Sequence, residues 1–317
     1  MNYVIGIDGG GTKTQVMLAD QHGNILTNEQ YGSTNPNTVS KQYLRELFQQ
    51  MFQDIQEKIP NSLEQVSSVF AGISGAGSAD SAFYLRELIE GSFPNAPIVR
   101  VEPDALNALY SGTFGGPGIV QICGTGSITY GINQHQVQDR VGGWGYLLGD
   151  EGSGYDVGRK GIMAALQYED GRGPKTILLD LLHEHFGAKT GRQLIDKVYQ
   201  SESPKLTISP VSPLVFQAFE QGDQVAATIL HQVADEIYHS LKTLADRLFS
   251  TEDSIPIILC GGLFQNSSIL SDLLVEKCQR NFSFLLPDVP PVVGSLAGAI
   301  QGELTSDVIT RLKYTSK

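Results

Sequence analysis

Short apolar runs separated by glycine-rich or polar turns occupy the first third of the chain. Runs of this kind, bounded by turn residues, are typical of β-strands. The segments with this pattern are 3–8, 14–20, 25–31, 66–73 and 97–101. Residues 39–58 instead place apolar side chains at helical spacing and end before Pro60, which predicts an amphipathic helix. A second helix is expected to begin near Asp104.

The opening pattern returns after a glycine-rich stretch at 112–118. An apolar run at 119–123 is followed by a glycine turn and by a strand-like segment at 128–132. Two strand–turn–strand units, one near the start of each half, predict a duplicated architecture. Two unrelated hairpins are the alternative.

Helical patterns become more frequent in the second half. Residues 223–249 keep one apolar face over their whole length, which predicts a long amphipathic helix. A buried-type strand is predicted at 255–260, and 290–304 carries small residues that allow close helix packing. Strands rich in valine and isoleucine that alternate with helices predict an α/β fold.

Length and composition suggest two domains. The chain has 317 residues, and domains of about 150 residues are common. Because composition changes at 112–118, we expect a domain at 1–112 and a larger one at 113–302. The terminal segment 303–317 is expected to pack back on the first domain.

Charge and cysteine content narrow the classes of function. The chain carries 34 acidic and 22 basic side chains, a formal charge of −12, which argues against nucleic-acid binding. No apolar run approaches the length of a membrane span, and the first residues do not resemble a secretory signal. Three widely spaced cysteines fit reduced thiols in a cytoplasmic protein.

The glycines are numerous, 35 in all, and they concentrate in loops. Three of them follow the first predicted strand, directly after Asp8, and precede Thr12 and Thr14. Backbone amides can converge on phosphate oxygens where no Cβ interferes, and a carboxylate at a strand end can hold Mg²⁺. A plain hairpin turn is the alternative. The loop at 124–127 repeats this chemistry, and no segment matches a P-loop or a Rossmann fingerprint.

Two further features carry candidate chemistry. Asp104 follows a strand at the expected start of a helix, where it is either a helix-stabilising carboxylate or a general base. The glycine-rich loop 142–154 holds Trp144, the only tryptophan, and the adjacent carboxylates of Asp150 and Glu151. Such a loop suits a sugar, whose hydroxyls bind carboxylates and whose ring lies on an aromatic face. A flexible surface loop is the alternative.

Taken together and in this order, these motifs resemble the sugar kinase, heat-shock chaperone and actin ATPase superfamily over nearly the whole chain. Residues 8–14 resemble its first phosphate motif and 124–127 its second, while 259–262 with Asn266 resemble its adenosine motif. Within the superfamily, the chain is most similar to the BadF/BadG-type branch that includes N-acetylglucosamine kinases. The resemblance implies a duplicated, two-domain actin-like (ribonuclease H-like) fold with an interdomain cleft.

The resemblance also implies roles for individual residues. Asp104 is the implied general base, and Asp8 is expected to hold Mg²⁺ through water. The implied ATP and phosphate contacts are Gly10, Gly11, Thr12, Lys13, Thr14, Gly124, Thr125, Gly126, Gly261, Gly262 and Asn266. The implied sugar contacts are Asn35, Ser74, Gly75, Asp104, Ser127, Gly143, Trp144, Gly145 and Asp150.

The implied activity is ATP-dependent phosphorylation of an amino sugar, with N-acetylglucosamine 6-phosphate as the first expected product and a homodimer as the expected assembly. Where animal relatives carry a tryptophan beside the acetamido group, this chain has Pro36-Asn37. Glucosamine and N-acetylmuramic acid therefore remain alternative substrates. A non-catalytic sugar or nucleotide sensor and an ATPase activator of a redox partner are the alternatives of other classes. The cysteines do not match the cluster-binding pattern of such activators, nor the zinc site of the repressor/open-reading-frame/kinase family.

Overall fold

A computed structural model of the chain describes residues 2–300, 302 and 304–315. It divides into two compact units, Met1–Gly118 with Pro287–Lys317 and Ile119–Leu286. Within the described residues, each unit is built on a five-stranded sheet. The helices in this described part of the chain include no candidate for a membrane span.

The first unit begins with three strands joined by tight turns, as the sequence predicts. Its elements are β1 (Tyr3–Gly9), β2 (Lys13–Asp20), β3 (Ile25–Gly32), α1 (Lys41–Lys58), β4 (Val66–Ile73), α2 (Ala79–Glu90), β5 (Ile98–Glu102) and α3 (Asp104–Thr113). The sheet order is β3-β2-β1-β4-β5, with β1 antiparallel to β2 and parallel to β4. Apolar side chains of α1, among them Phe48 and Phe52, pack against the sheet and form the core of the unit.

The second unit repeats this order of strands. Its strands are β6 (Gly118–Cys123), β7 (Ser127–Ile132), β8 (Gln138–Gly142), β9 (Ile255–Cys260) and β10 (Phe282–Leu285), in the order β10-β9-β6-β7-β8. Its helices are α4 (Gly154–Glu169), α5 (Leu178–Phe186), α6 (Gly191–Tyr199), α7 (Pro204–Ile208), α8 (Ser212–Glu220), α9 (Gln224–Leu248), α10 (Gly262–Gln265) and α11 (Ile269–Lys277). Because the two sheets share one strand order, the predicted duplication and the predicted α/β class are confirmed. The predicted interdomain cleft remains a prediction.

The long predicted helix of the second unit is α9. Asp223 caps its first turn by accepting hydrogen bonds from the backbone N–H groups of Val225 and Ala226, both at 2.9 Å. Its apolar face, including Leu230 and Leu241, is fully buried in the core of the unit. With this face α9 packs on β7 and β8 and on the helices α4, α8 and α11.

The last helices return to the first unit. They are α12 (Pro291–Ala299) and α13 (Ser306–Thr315). α12 packs on α3 and β1. It approaches α3 very closely, as a Cβ at Gly294 would lie only 2.2 Å from the backbone oxygen of Asn107. The sequence predicts a closely packed helix within 290–304. In the structure this helix is α12, which ends at Ala299.

The compact units and the domain bounds predicted from the sequence differ. The units divide after Gly118 and before Pro287, whereas the sequence predicts 113–302 as one domain. The helix α12 groups with the first unit because it packs on β1 and α3. In the terminal segment, α13 contacts the turn at Gly23, where a Cβ would lie 2.9 Å from the backbone oxygen of Val308. Residues 301, 303, 316 and 317 lie outside the described residues.

Candidate functional site

The loop between β1 and β2 is closed by its own backbone and by the segment that follows β3. The N–H of Gly10 donates to the backbone oxygen of Lys13 at 2.9 Å, and Ser33 Oγ donates to the oxygen of Gly10 at 3.2 Å. At Gly11 neither the backbone conformation nor packing requires glycine, since its φ is not positive and a Cβ would meet no atom within 4 Å. A bare turn does not explain this glycine, whereas a ligand that approaches the backbone does.

The three polar residues after the glycines differ in accessibility. Thr12 and Lys13 are exposed, but Thr14 is fully buried. The hydroxyl of Thr14 lies 3.0 Å from that of Thr34. In this arrangement Thr14 supports the loop from beneath, and Thr12 and Lys13 are the side chains open to a ligand.

Asp8 lies next to this loop, and its carboxylate is fixed by Asn107 of α3. The side-chain amide of Asn107 donates to Asp8 Oδ1 at 2.8 Å and lies 3.2 Å from the oxygen of Ile7 and 3.0 Å from that of Gly72. Burial raises the pKa of Asp8, although the Asn107 hydrogen bond and the nearby charge of Lys13 oppose the rise. A carboxylate with one oxygen fixed in this way suits a divalent cation that keeps several of its waters.

Asp104, the first residue of α3, lies close enough to Asp8 for the two charges to interact. Burial, and then the charge of Asp8, raise the pKa of Asp104 to about 6. The backbone N–H groups at the start of α3 and the hydroxyl of Ser74 donate to the carboxylate and oppose the rise. A carboxyl group whose pKa lies near neutrality is suited to accept a proton from an alcohol.

Asn35, Ser74 and Gly75 form one cluster in the first unit. The Asn35 amide lies 3.5 Å from Ser74 Oγ, and Asn35 Oδ1 accepts from the N–H of Asn37 at 2.9 Å. Gly75 has a φ of 86°, and a Cβ there would lie 2.4 Å from Asn35 Oδ1. The structure therefore brings together Asn35, Ser74, Gly75 and Asp104, four of the residues predicted to bind sugar.

In the second unit, the loop after β6 opens into a cavity of about 430 Å³, a size typical of small-molecule sites. The cavity is lined by Gly124, Thr125, Ser209, Pro210, Ser212, Pro213, Phe216, Gln217, Glu220, Gly262, Leu263, Asn266 and Ser267. The predicted second phosphate loop and the predicted adenosine residues Gly262 and Asn266 thus share one cavity. A Cβ at Gly124 would meet no atom within 4 Å, so this glycine, like Gly11, is not required by packing.

Gly261 is a glycine for a different reason. Its φ is 101°, and a Cβ there would lie 2.4 Å from the backbone oxygen of Cys123. The end of β9 therefore packs directly on the end of β6, and the residues that follow the two ends, Gly262 and Gly124, both line the cavity.

The other residues predicted to bind sugar lie in the second unit. Ser127 is buried and accepts a hydrogen bond from Gln121 at 3.1 Å, so its side chain is occupied inside the sheet. Trp144 is 68% exposed and packs on the Arg140 guanidinium group at 4.3 Å. Asp150 is 5% exposed, and its Oδ1 accepts from the N–H of Gly145 at 3.2 Å. Gly143 has a φ of 68° and supports the turn before Trp144.

Sequence reasoning missed three features of these sites. Asn107 was not singled out, although it contacts Asp8, and neither was Lys205, which lies 3.5 Å from Asp150 Oδ2. The cavity wall formed by 209–220 was also missed. Only the three prolines at 204–213, predicted to mark an irregular connector, pointed to unusual structure there. In the described part of the chain no group of three or more acidic, histidine or cysteine side chains is arranged to hold a metal ion.

A duplicated five-stranded α/β fold, with a glycine loop after the first strand of each sheet, is the architecture of the actin-like ATPase type. The sequence profile of the BadF/BadG/BcrA/BcrD ATPase family matches residues 5–298. The chain belongs to this family, and the resemblance stated from its motifs is confirmed.

Similar proteins agree with this assignment. An N-acetylmuramic acid/N-acetylglucosamine kinase from Clostridium acetobutylicum is 35% identical over 282 residues, 89% of this chain and 92% of that protein. An N-acetyl-D-glucosamine kinase from Dictyostelium discoideum is 32% identical over 288 residues, 88% of this chain and 90% of that protein. The structure of a Chromobacterium violaceum protein proposed to be an N-acetylglucosamine kinase has a TM-score of 0.71 and 24% identity. It covers 93% of this chain and 98% of its own, and it supports the fold.

Proposed function

We propose that this protein transfers the terminal phosphoryl group of ATP to a hydroxyl group of an amino sugar, with N-acetylglucosamine as the first candidate. Two relatives that cover 88–89% of the chain are named N-acetylmuramic acid/N-acetylglucosamine kinase and N-acetyl-D-glucosamine kinase. The observation that carries the proposal is Asp104, whose carboxyl group has a pKa of about 6 and accepts from Ser74, beside the polar side chain of Asn35. Binding of a nucleotide does not require a carboxyl group of this kind, whereas phosphoryl transfer to an alcohol uses one as a base.

In the proposed reaction, Asp104 takes the proton of the sugar hydroxyl. The oxygen of that hydroxyl then attacks the terminal phosphorus atom as the bond from this phosphorus to ADP breaks. Asn35 and the Ser74–Gly75 turn orient the sugar, and Ser74 stabilises the ionised form of Asp104. The backbone amides of Gly11 and Gly126 face the phosphate oxygens, with Thr12, Lys13 and Thr125 beside them. The amides of Gly10 and Gly124 donate to the backbone oxygens of Lys13 and Gly126 and hold the two loops in shape.

Asp8 is the residue that would hold Mg²⁺, through water. When bound, the ion supplies neutralisation of phosphate charge. The fit rests on the Asp8 carboxylate, which Asn107 holds by one oxygen. Mg²⁺ in phosphoryl-transfer sites is commonly held by one or two carboxylates and by the phosphates, so the arrangement around Asp8 suits this ion.

In the second unit, the cavity next to Gly124 binds the adenosine part of ATP in this proposal. Phe216 and Leu263 supply apolar wall for the adenine ring, and Gly262 and Asn266 lie beside them. The volume of about 430 Å³ fits a nucleoside.

The test is sugar-dependent release of ADP from the full chain. N-acetylglucosamine, glucosamine, N-acetylmuramic acid and glucose are compared at equal concentrations, with 6-deoxy-N-acetylglucosamine as the control for the position of transfer. We expect N-acetylglucosamine to give the highest kcat/KM and the 6-deoxy sugar to give no turnover. Release of ADP that is indifferent to every sugar would contradict the proposal and favour an activating ATPase. Binding of sugar without turnover would favour a sensor. The homodimer expected from the resemblance is part of the proposal and is tested by light scattering of the purified chain.

A further inference from the structure

Lys205 of α7 lies directly against the glycine loop that follows β6. A Cβ at Gly126 would lie 3.4 Å from Lys205 Nζ and 2.8 Å from Asp150 Oδ2. The loop therefore comes this close to the ion pair only because residue 126 is glycine. Asp150 and Lys205 reach the loop from different segments, one from the turn before α4 and the other from α7.

The carboxylate of this pair is held rigidly. Asp150 is 5% exposed and has a φ of 60°, a left-handed conformation that is uncommon for residues other than glycine. Its Oδ1 accepts from the N–H of Gly145 at 3.2 Å, and its backbone oxygen accepts from the N–H of Ser153 at 3.1 Å. Backbone strain that is maintained by such surroundings is typical of functional sites.

The ammonium group, by contrast, is only partly engaged. Lys205 Nζ lies 3.5 Å from Asp150 Oδ2, with 28% of the side chain exposed, and 5.6 Å from the centre of the Tyr146 ring. A charge-assisted hydrogen bond would be about 2.7–2.9 Å long. Lys160 of the same unit shows the contrast, since its ammonium group lies 2.6 Å from both Asp156 and Glu236. Lys160 is compensated by two carboxylates, whereas Lys205 keeps donors for another acceptor.

The neighbouring loop indicates what that acceptor is. A buried carboxylate beside a phosphate loop repels phosphate unless a cation compensates it, and lysine binds phosphate as a point charge. We propose that Lys205 binds the phosphate groups of the nucleotide at the loop 124–127, and that Asp150 is a positioning residue that holds the ammonium group there. This inference rests on the proposed nucleotide site. It gives Asp150 a role toward the nucleotide in addition to the predicted contact with sugar.

The experiment measures binding of ADP and of adenosine to the full chain by calorimetry, without sugar. For Lys205→Met we expect ADP affinity to fall about 10- to 100-fold, as for a lost hydrogen bond between charged groups, while adenosine affinity stays unchanged. Lys205→Arg should recover part of the ADP affinity. In the Lys205→Met background, Asp150→Asn should raise ADP affinity, because it removes an uncompensated charge beside the phosphates. Lys160→Met is the matched control and should leave both affinities unchanged.

The outcomes separate this inference from the proposed function. Equal losses of ADP and adenosine affinity in Lys205→Met would show a structural role and overturn the inference, as would unchanged ADP affinity. A wild-type chain that binds neither ligand would overturn both proposals. The expected pattern of binding in a chain that phosphorylates no sugar would support the role of Lys205 and contradict the kinase proposal.

Discussion

The side-chain amide of Asn107 donates a hydrogen bond to Asp8 Oδ1 at 2.8 Å, and so ties α3 to the end of β1. The same amide group lies within 3.2 Å of the backbone oxygens of Ile7 and Gly72. Room for it exists because residue 72 is glycine, where a Cβ would lie 2.1 Å from Asn107 Oδ1. Asp104 begins the same helix, so one residue fixes both the Asp8 carboxylate and the helix that carries the proposed base.

Replacing Asn107 should therefore weaken both the fold and the response to Mg²⁺. Asn107→Ala removes the donor to Asp8 and to the backbone oxygens of Ile7 and Gly72, and we expect a loss of about 2–4 kcal/mol in the free energy of unfolding. Because the Asp8 carboxylate is then no longer fixed, the Mg²⁺ concentration for half-maximal turnover should rise. Urea denaturation and a Mg²⁺ titration of ADP release measure the two effects.

The matched control is Asn133, a buried asparagine of the second unit whose amide donates to the backbone oxygen of Leu248 at 3.1 Å. Asn133→Ala should lower stability without changing the Mg²⁺ requirement. If both variants needed equally more Mg²⁺ for half-maximal turnover, general loss of structure would explain the effect, and the role of Asn107 in fixing Asp8 would be contradicted.

The pH profile of turnover should reflect Asp104. Burial, and then the charge of Asp8, raise the pKa of Asp104 to about 6, and only the ionised carboxylate can accept a proton. We expect kcat/KM for the sugar to fall about tenfold per pH unit below pH 6. Ser74→Ala removes a hydrogen bond that stabilises the carboxylate, and the break should move to higher pH. A profile that is flat between pH 5 and 8 would remove Asp104 from the role of base.

The same raised pKa has the opposite consequence for stability. A carboxyl group with a higher pKa in the folded state binds protons more tightly there, so its ionisation destabilises the fold increasingly from pH 4 to about 6. Asp104→Asn should cut turnover by about 10² or more. At pH 8 it should also stabilise the protein by about 1–3 kcal/mol relative to wild type. Below pH 4 the stabilisation should vanish.

Asp20 of the same unit provides the control of opposite sign. Burial alone would raise the pKa of Asp20, but hydrogen bonds from Asn24 and the backbone N–H of His22 lower it. Its ionised form therefore stabilises the fold, and Asp20→Asn should destabilise the protein at pH 8. Urea denaturation of the three proteins at pH 3.5 and pH 8 measures both effects. If Asp104→Asn and Asp20→Asn both stabilised the protein at pH 8, the stabilisation by Asp104→Asn would not result from the raised pKa of Asp104.

The strands that the sequence predicts well are those with a nearly continuous apolar run. β4 at Val66–Ile73 and β9 at Ile255–Cys260 lie where they were predicted, because nearly every side chain in them is buried. The strands β8 and β10 were missed because they lie at sheet edges and their side chains are half-buried or exposed. Their sequences therefore lack the contrast between buried and solvent-facing positions.

For the candidate site, too, the sequence reveals local features but not the contacts that the fold creates. Glycine loops and strand-end carboxylates are local signals, and Asp8 and Asp104 could be singled out without a structure. Asn107 reads as an ordinary polar residue of a helix until the register of β1 and β4, which pairs Asp8 with Gly72, brings its acceptors together. Lys205 is far from Gly126 in sequence, and only the packing of α7 brings it to the loop.

The proposed phosphate loops can be tested through glycines that the fold itself does not need. At Gly11 and Gly124 a Cβ would meet no atom within 4 Å, and neither has a positive φ. Gly11→Ala and Gly124→Ala should therefore fold with wild-type stability, within about 1 kcal/mol. If the backbone at these positions lies against phosphate, the added methyl group should raise KM for ATP about tenfold or more. Gly77→Ala, equally open, should leave KM for ATP unchanged.

Gly261→Ala completes the comparison, since its Cβ would lie 2.4 Å from the oxygen of Cys123 at a φ of 101°. This variant should lose several kcal/mol of stability, on the order of 3 or more, because both the conformation and the space exclude a side chain. Thermal denaturation separates the two classes of glycine, and ATP kinetics on the folded variants then reports on the ligand alone. Normal ATP kinetics in Gly11→Ala and Gly124→Ala together would show that neither loop approaches the nucleotide, and the proposed phosphate site would be wrong.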